Sequence, residues 1–229
     1  DERGTGAAIR TGRRVTWDPD KVEAPQPPLD RATKLRFWLR AVPFGTFIAI
    51  CLLIQVLLRQ VERLFHGMRR PWTPYLTQVV CRAFFFFSGM GFRVTGTPMK
   101  EHGAIVANHV AWIDIFTLHA AKWVYYVSKA EVRGWPGIGI LARATGTIFI
   151  NRVRSEAKQQ EQTFRERLSL GHKLLFFPEG TSTDAMRVLP FKTTLFAAFF
   201  DPALRDTLKV QPVTMVYRAP EGADPRFYG

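Results

Sequence analysis

The chain has 229 residues, 47% of them hydrophobic, which is too long and too apolar for disorder and enough for one sizeable core with an appendage. Its 32 Lys and Arg against 19 Asp and Glu leave a formal net charge of +13, which calls for an acidic partner. The aromatics argue against nucleic acid in that role: stacking platforms intersperse them with basic residues, whereas here they are clumped, as in Phe84 to Phe87, inside apolar runs.

Residues 1–34 read as a flexible or surface-draped arm, rich in Pro, Asp and Arg without periodicity, "DPDKVEAPQPPLD" being typical. Residues 35–92 read as a membrane-associated helical region. Within it Ala41 to Leu58 carries no charge and is bounded by Arg40 and Arg59. As a helix it measures ~27 Å, barely the ~30 Å of a bilayer's hydrocarbon core, so length leaves spanning and one-leaflet insertion both open. Arg31, Lys34, Arg36 and Arg40 precede the segment and Arg59, Arg63, Arg69 and Arg70 follow it, so the positive-inside rule puts both ends on the cytoplasmic side. A second apolar patch, Ala83 to Phe92, is too short to span, and the pair suggests two elements dipping into one leaflet. The plainer alternative is a buried pair of core helices. The late start of the apolar segment and the lack of a small-x-small site argue against a secretory signal. Cys51 and Cys81, both in apolar runs, offer neither a disulfide framework nor metal-ligand spacing, which fits a reducing compartment.

Residues 93–229 have an α/β texture. Strand-like runs "GAIVAN", "WVYYVS", "TIFIN", "KLLFF" and "VQPVTMVY" alternate with helical patterns at Ile113 to Lys122, Gly137 to Ala144, Ser155 to Leu170 and Lys192 to Phe200. At the first strand end, His109 and Asp114 are too far apart to face each other on one helix. The better fit is a strand over Ile105 to Ala107, His109 in the turn, and a helix from about Trp112 to Ala121 with Asp114 in its first turn, so that the carboxylate folds back onto the imidazole. Such a pair is a general base and its orienting group. Taken alone, the spacing favours a plainer reading, a histidine satisfied at a strand end and an aspartate placed for the helix dipole.

Three further stretches follow strand ends, where the loops of an α/β sheet gather functional groups. In "GTIFINR", Arg152 offers a forked, permanently charged donor set to a phosphate or carboxylate. In "FFPEGTSTD", Pro178 stiffens the exit, Glu179 brings a carboxylate and Gly180 lets backbone amides approach a ligand. In "VQPV", Pro212 lacks a ladder donor and marks an edge or a bulge.

Together these stretches resemble the glycerolipid acyltransferase family, which acylates lysolipids such as lysophosphatidate. The resemblance rests on Asn108, His109 and Asp114, then "G..FI.R" at Gly146 to Arg152, "FPEGT" at Phe177 to Thr181, and Pro212, in the family's order and spacing, with "LPFK" at Leu189 to Lys192 as further support. It implies a mixed sheet flanked by helices, preceded by the N-terminal membrane-associated segment, on the cytoplasmic face of a bacterial inner membrane. It implies that His109 deprotonates the acceptor hydroxyl during attack on a thioester, with Asp114 holding the imidazole and no protein nucleophile, metal or cofactor required. Asn108, Arg152, Glu179, Gly180 and Thr181 would position the acceptor head, and the co-substrate would be an acyl carrier protein or coenzyme A thioester. Ala111 stands where many members have Ser, and Ser182 and Thr183 follow "FPEGT" where many have Arg. Family domains continue past the last motif, so Gly229 is expected to fall short of the natural terminus.

The run "FFPEGTSTDAMRVLPFK" is also similar to the bacterial lyso-ornithine lipid acyltransferases. That likeness pairs Arg152 with the ornithine carboxylate and Asp184 with its ammonium, leaving lysophosphatidate as the second acceptor. Two other classes compete. A serine hydrolase using Ser182 lacks the last glycine of the nucleophile elbow, and a membrane-binding module without turnover leaves His109 and Asp114 unexplained.

Overall fold

A computed structural model describes residues 30–151, 156–183, 188–192, 208–218 and 221. The long helix α1, Arg31–His66, begins where the Asp30 side chain accepts the amide of Thr33 at 2.6 Å, so the boundary expected between 34 and 35 falls inside it. Those first residues resemble an arm because the solvent-facing end of a helix is as polar as a loop. Helix α2, Thr73–Ser88, runs back along α1, which holds both of its ends. The fully buried Glu62 carboxylate accepts Trp72 N at 2.7 Å, Thr73 N at 2.8 Å and Thr73 Oγ1 at 2.8 Å, capping an N-terminus that lacks its own side-chain cap. At the other end Arg40 donates to Ser88 O at 2.8 Å.

The alternative of a buried core pair fails for α1. Of its most apolar 18 residues only 11% are buried, and Leu53, Leu57, Leu64 and Phe65 stand exposed. By length and composition α1 is able to cross a membrane. The second apolar patch is divided instead of facing lipid as a unit: Phe84 and Phe85 are buried against protein while Phe86 is 82% exposed. Phe84 stacks on Phe116 at 4.3 Å, and Phe85 on Phe92 at 4.7 Å.

Among the described residues five strands form the sheet: β1 Gly103–Ala107, β2 Tyr125–Lys129, β3 Ile148–Ile150, β4 Lys173–Phe176 and β5 Lys209–Val213, in the order β3-β2-β4-β1-β5. The α/β expectation holds, but every pairing among the described strands is parallel, not mixed. Helices α3 Asp114–Ala121, α4 Ile138–Thr145 and α5 Ala157–Ser169 supply crossovers. The helix expected from Lys192 to Phe200 lies, apart from Lys192, outside the described residues. A parallel sheet must be covered on both faces, and this one is. Ala104, Tyr125, Leu174 and Phe176 pack with Phe164 and Leu168 of α5 on one side. On the other, Ile105, Tyr126 and Leu175 pack with Leu118 of α3. Among the described strands β5 is an edge, which explains how Pro212 is tolerated. Gly103 is needed where β1 meets β5, since a Cβ there would lie 2.0 Å from Lys209 O.

The helical hairpin is joined to this unit at two places. Phe44 and Phe84 meet Phe116 of α3, and Arg70 donates to Ala144 O at 2.7 Å, neutralising the C-terminal end of α4. Because β1 and β4 are neighbours, the first and third motifs leave the sheet side by side at its carboxyl edge, beside the exit from β5.

Candidate active site

The chain leaves β1 at Ala107, turns through Asn108 to Ile113, and enters α3 at Asp114. No side chain caps α3 at Ile113; the turn hydrogen-bonds Asp114 N to Ala111 O at 3.1 Å instead. This geometry swings the carboxylate back: Asp114 Oδ2 lies 2.5 Å from His109 Nδ1 and also accepts Val110 N at 2.7 Å and Ala111 N at 3.0 Å. An oxygen already accepting two amide hydrogens acts as an acceptor toward the ring, so Nδ1 carries the imidazole hydrogen and Nε2 keeps its lone pair. Among the described residues nothing hydrogen-bonds Nε2. The Asp114 side chain is wholly buried and that of His109 is 23% exposed, so the base is reachable and its orienter is not. The ring is held from one side by Phe177, stacked at 4.1 Å and 11°. The histidine within α3, His119, is a core residue whose imidazole burial pushes down to about 4.

The third motif closes over this pair. Thr183 N donates to His109 O at 2.8 Å, and Gly180 takes the left-handed conformation at φ 72° with its amide on Phe177 O at 3.0 Å. Glu179 is buried and accepts Leu189 N at 3.0 Å, which ties "LPFK" to the motif. Thr181 and Ser182 lie partly buried in the same loop, and Ser182 makes no hydrogen bond to His109. Asn108 uses its amide on backbone: Nδ2 donates to Met215 O at 3.0 Å and Oδ1 accepts Met215 N at 2.7 Å. Arg152 and Asp184 lie outside the described residues.

Sequence reasoning missed Tyr217. Its hydroxyl donates to Asp114 Oδ1 at 2.6 Å and lies 3.0 Å from Thr117 Oγ1. Burial, then the bond to Asp114, pushes the phenol above its ordinary range, so it stays a protonated donor. The only sequence signal was its place in the strand-like run that ends the last motif. Tyr126 was missed too; its hydroxyl donates to Asp114 O at 3.2 Å from the floor of the site. Beside α3, an apolar groove of about 370 Å³ opens between α1 and α2, lined by Phe37, Phe44, Phe84 and Phe87 with Arg36 and Arg40. Among the described residues no three His, Cys, Asp or Glu side chains converge to hold a metal ion.

A base oriented by a carboxylate, at the carboxyl edge of a parallel sheet and under a Pro-Glu-Gly loop, is suited to activating a hydroxyl. A family model described as acyltransferase matches residues 91–216, a span that contains His109, Asp114 and the Pro-Glu-Gly loop. The chain belongs to the acyltransferase family. It is 52% identical, over 89% of its length and 75% of the relative's, to a lyso-ornithine lipid O-acyltransferase of Rhodobacter capsulatus. A relative of the same name from Brucella abortus is 34% identical over 70% of this chain and 60% of its own length. A 1-acyl-sn-glycerol-3-phosphate acyltransferase of Neisseria gonorrhoeae is 37% identical over 46% of this chain and 43% of its own. In fold, the acyltransferase resembles the crystal structure of a 1-acyl-sn-glycerophosphate acyltransferase from Thermotoga maritima, with a TM-score of 0.52 at 20% identity, covering 79% of this chain and 83% of that one.

Proposed function

We propose that the acyltransferase moves a fatty acyl group from an acyl thioester to the hydroxyl of lyso-ornithine lipid, completing ornithine lipid. The observation that carries the chemistry is the 2.5 Å contact between His109 and a buried Asp114. His109 Nε2 takes the acceptor's hydroxyl proton as that oxygen attacks the thioester carbonyl, while Asp114 stabilises the imidazolium. The carbon–sulfur bond breaks, the sulfur receives the proton from the imidazolium, and an ester and a free thiol leave. Backbone amides of the turns near His109 are suited to receive the oxyanion, and Glu179, Gly180 and Thr181 to shape the head-group site. Asn108 contributes by fixing the segment through Met215 rather than by touching the acceptor.

The acceptor assignment is supported by the relatives that carry the lyso-ornithine name and by the third motif. A phosphate dianion favours several cationic donors, and this chain puts Ser182, Thr183 and Asp184 where an arginine is common in the family. In this reading Arg152 holds the ornithine carboxylate and Asp184 the ammonium. Lysophosphatidate is the second reading, favoured by the Neisseria relative. The excess of basic residues suits an acidic donor, acyl carrier protein or coenzyme A thioester, and the groove between α1 and α2 suits acyl chains. Basic residues at both ends of α1's apolar stretch fit insertion into one leaflet from the cytoplasmic face of a bacterial inner membrane.

Acylation of the two lysolipids side by side with one thioester donor tests this. The expected result is a higher kcat/KM for lyso-ornithine lipid; preference for lysophosphatidate overturns the acceptor and leaves the chemistry standing.

A further inference from the structure

We propose that Tyr217 is a positioning residue for acyl transfer: its hydroxyl locks the second oxygen of Asp114 and so sets how His109 is held and how readily it takes a proton. This rests on His109 being the base. Asp114 Oδ2 is occupied by the imidazole and two backbone amides, all from its own turn. Oδ1 has a single hydrogen-bond donor among the described residues, Tyr217, and with the carboxylate fully buried, solvent does not compete for it. A carboxylate gripped by one oxygen can still rock about that grip, and the 2.6 Å bond on the other oxygen fixes its plane and therefore the ring it faces. The phenol is itself anchored, 3.0 Å from Thr117 Oγ1 on the first turn of α3.

What brings Tyr217 there is Asn108, the residue before the base. Its amide makes two hydrogen bonds to Met215, and the backbone two residues further on delivers Tyr217 to Asp114. The pairing of Ala107 with Val213 sets this register, so β1 and β5 together assemble a chain of contacts from Asn108 through Met215 and Tyr217 to Asp114 and His109. Other groups facing the pair are inert. Tyr126 of β2 donates to Asp114 O with its phenol raised by burial; Cys81 of α2, close to Tyr126, is pushed up to about 12 by burial, and His119 of α3 down to about 4. The carboxylate of Glu179 is engaged by Leu189 N, and no Lys or Arg among the described residues pairs with Asp114.

The test is Tyr217→Phe, which removes one oxygen and keeps the ring. Purified full chain is assayed for acceptor-dependent thioester consumption across pH. The expected result is a fall in kcat of roughly 10-fold with acceptor KM unchanged. The acid limb of kcat/KM should also move to higher pH, because a carboxylate stripped of a donor holds the imidazolium more tightly. Placed in a His109→Ala background, Tyr217→Phe should add no further loss, since it acts only through the base. Unchanged kcat and pH limb, a rise in KM alone, or the same fold-loss with and without His109 would each overturn the assignment. Full activity in His109→Ala would instead sink the base itself, which a silent Tyr217→Phe alone does not do.

Discussion

His109 and Asp114 meet because the turn from Asn108 to Ile113 converts a strand end into a helix start, and the carboxylate is pulled back by two amides of the turn it closes. That pairing is local, so the order of residues is enough to reveal it. His109→Ala is expected to cut turnover by a factor of ~10² to 10⁴ while the protein stays folded, as judged by circular dichroism beside steady-state rates. Asp114→Asn should do nearly as much harm, since an amide presents hydrogens where the ring and two backbone amides need an acceptor. Arg152→Ala is expected to raise the acceptor KM more than it lowers kcat, the mark of a residue that holds the head group; collapse of kcat at constant KM would place it in the transition state instead. Tyr217 is hidden from the sequence for a physical reason. It lies 103 residues from Asp114, and only the parallel register of β5 on β1 brings them together. Asn108 is legible as a neighbour of the base, yet its backbone strap to Met215 depends on that same register.

Among the elements, the strands are readable from short β-branched and aromatic runs, but not their mutual direction, because a buried strand has the same composition in either sense. The start of α1 escapes a sequence reading because exposed helical turns look like loop. Its inner face carries more information: Cys51, Gln55 and Glu62 are its buried positions, and Glu62 holds the N-terminus of α2. Glu62→Ala strands the buried amide and hydroxyl of Thr73 and removes the acceptor of Trp72 N, and is expected to cost about 2 kcal/mol or more, seen as a lower thermal midpoint, whereas Leu53→Ala on the exposed face costs little in detergent. Helix α3 predicts an acid response through His119. Unfolded, this imidazole binds a proton below its ordinary 6.5; folded, it does so only below about 4, because burial disfavours the charge. Between those values the unfolded state holds the extra proton, so stability falls as pH drops from about 6.5 to about 4, by roughly 3 kcal/mol at the acid end. His119→Gln should flatten that part of the pH–stability curve relative to the parent; parallel curves would show that the burial penalty lies elsewhere.

As a whole molecule, the acyltransferase joins an exposed apolar helix to a parallel α/β unit through aromatic contacts on α3, the helix that carries Asp114. The base is thereby fixed relative to the exposed apolar helix, as the proposed transfer from an acidic thioester donor to a lysolipid would require. Cysteine labelling in oriented membranes is expected to modify positions before Arg40 and after Arg59 from the same side, with labelling from opposite sides establishing α1 as a span. The measurement closest to the central claim is thioester consumption by the purified full chain with and without lyso-ornithine lipid. Acyl transfer through His109 predicts free thiol released only when the lysolipid is present, in equal amount to the ester formed, and nearly abolished in His109→Ala. Thiol release without acceptor, or ester formation that survives His109→Ala at full rate, would contradict it.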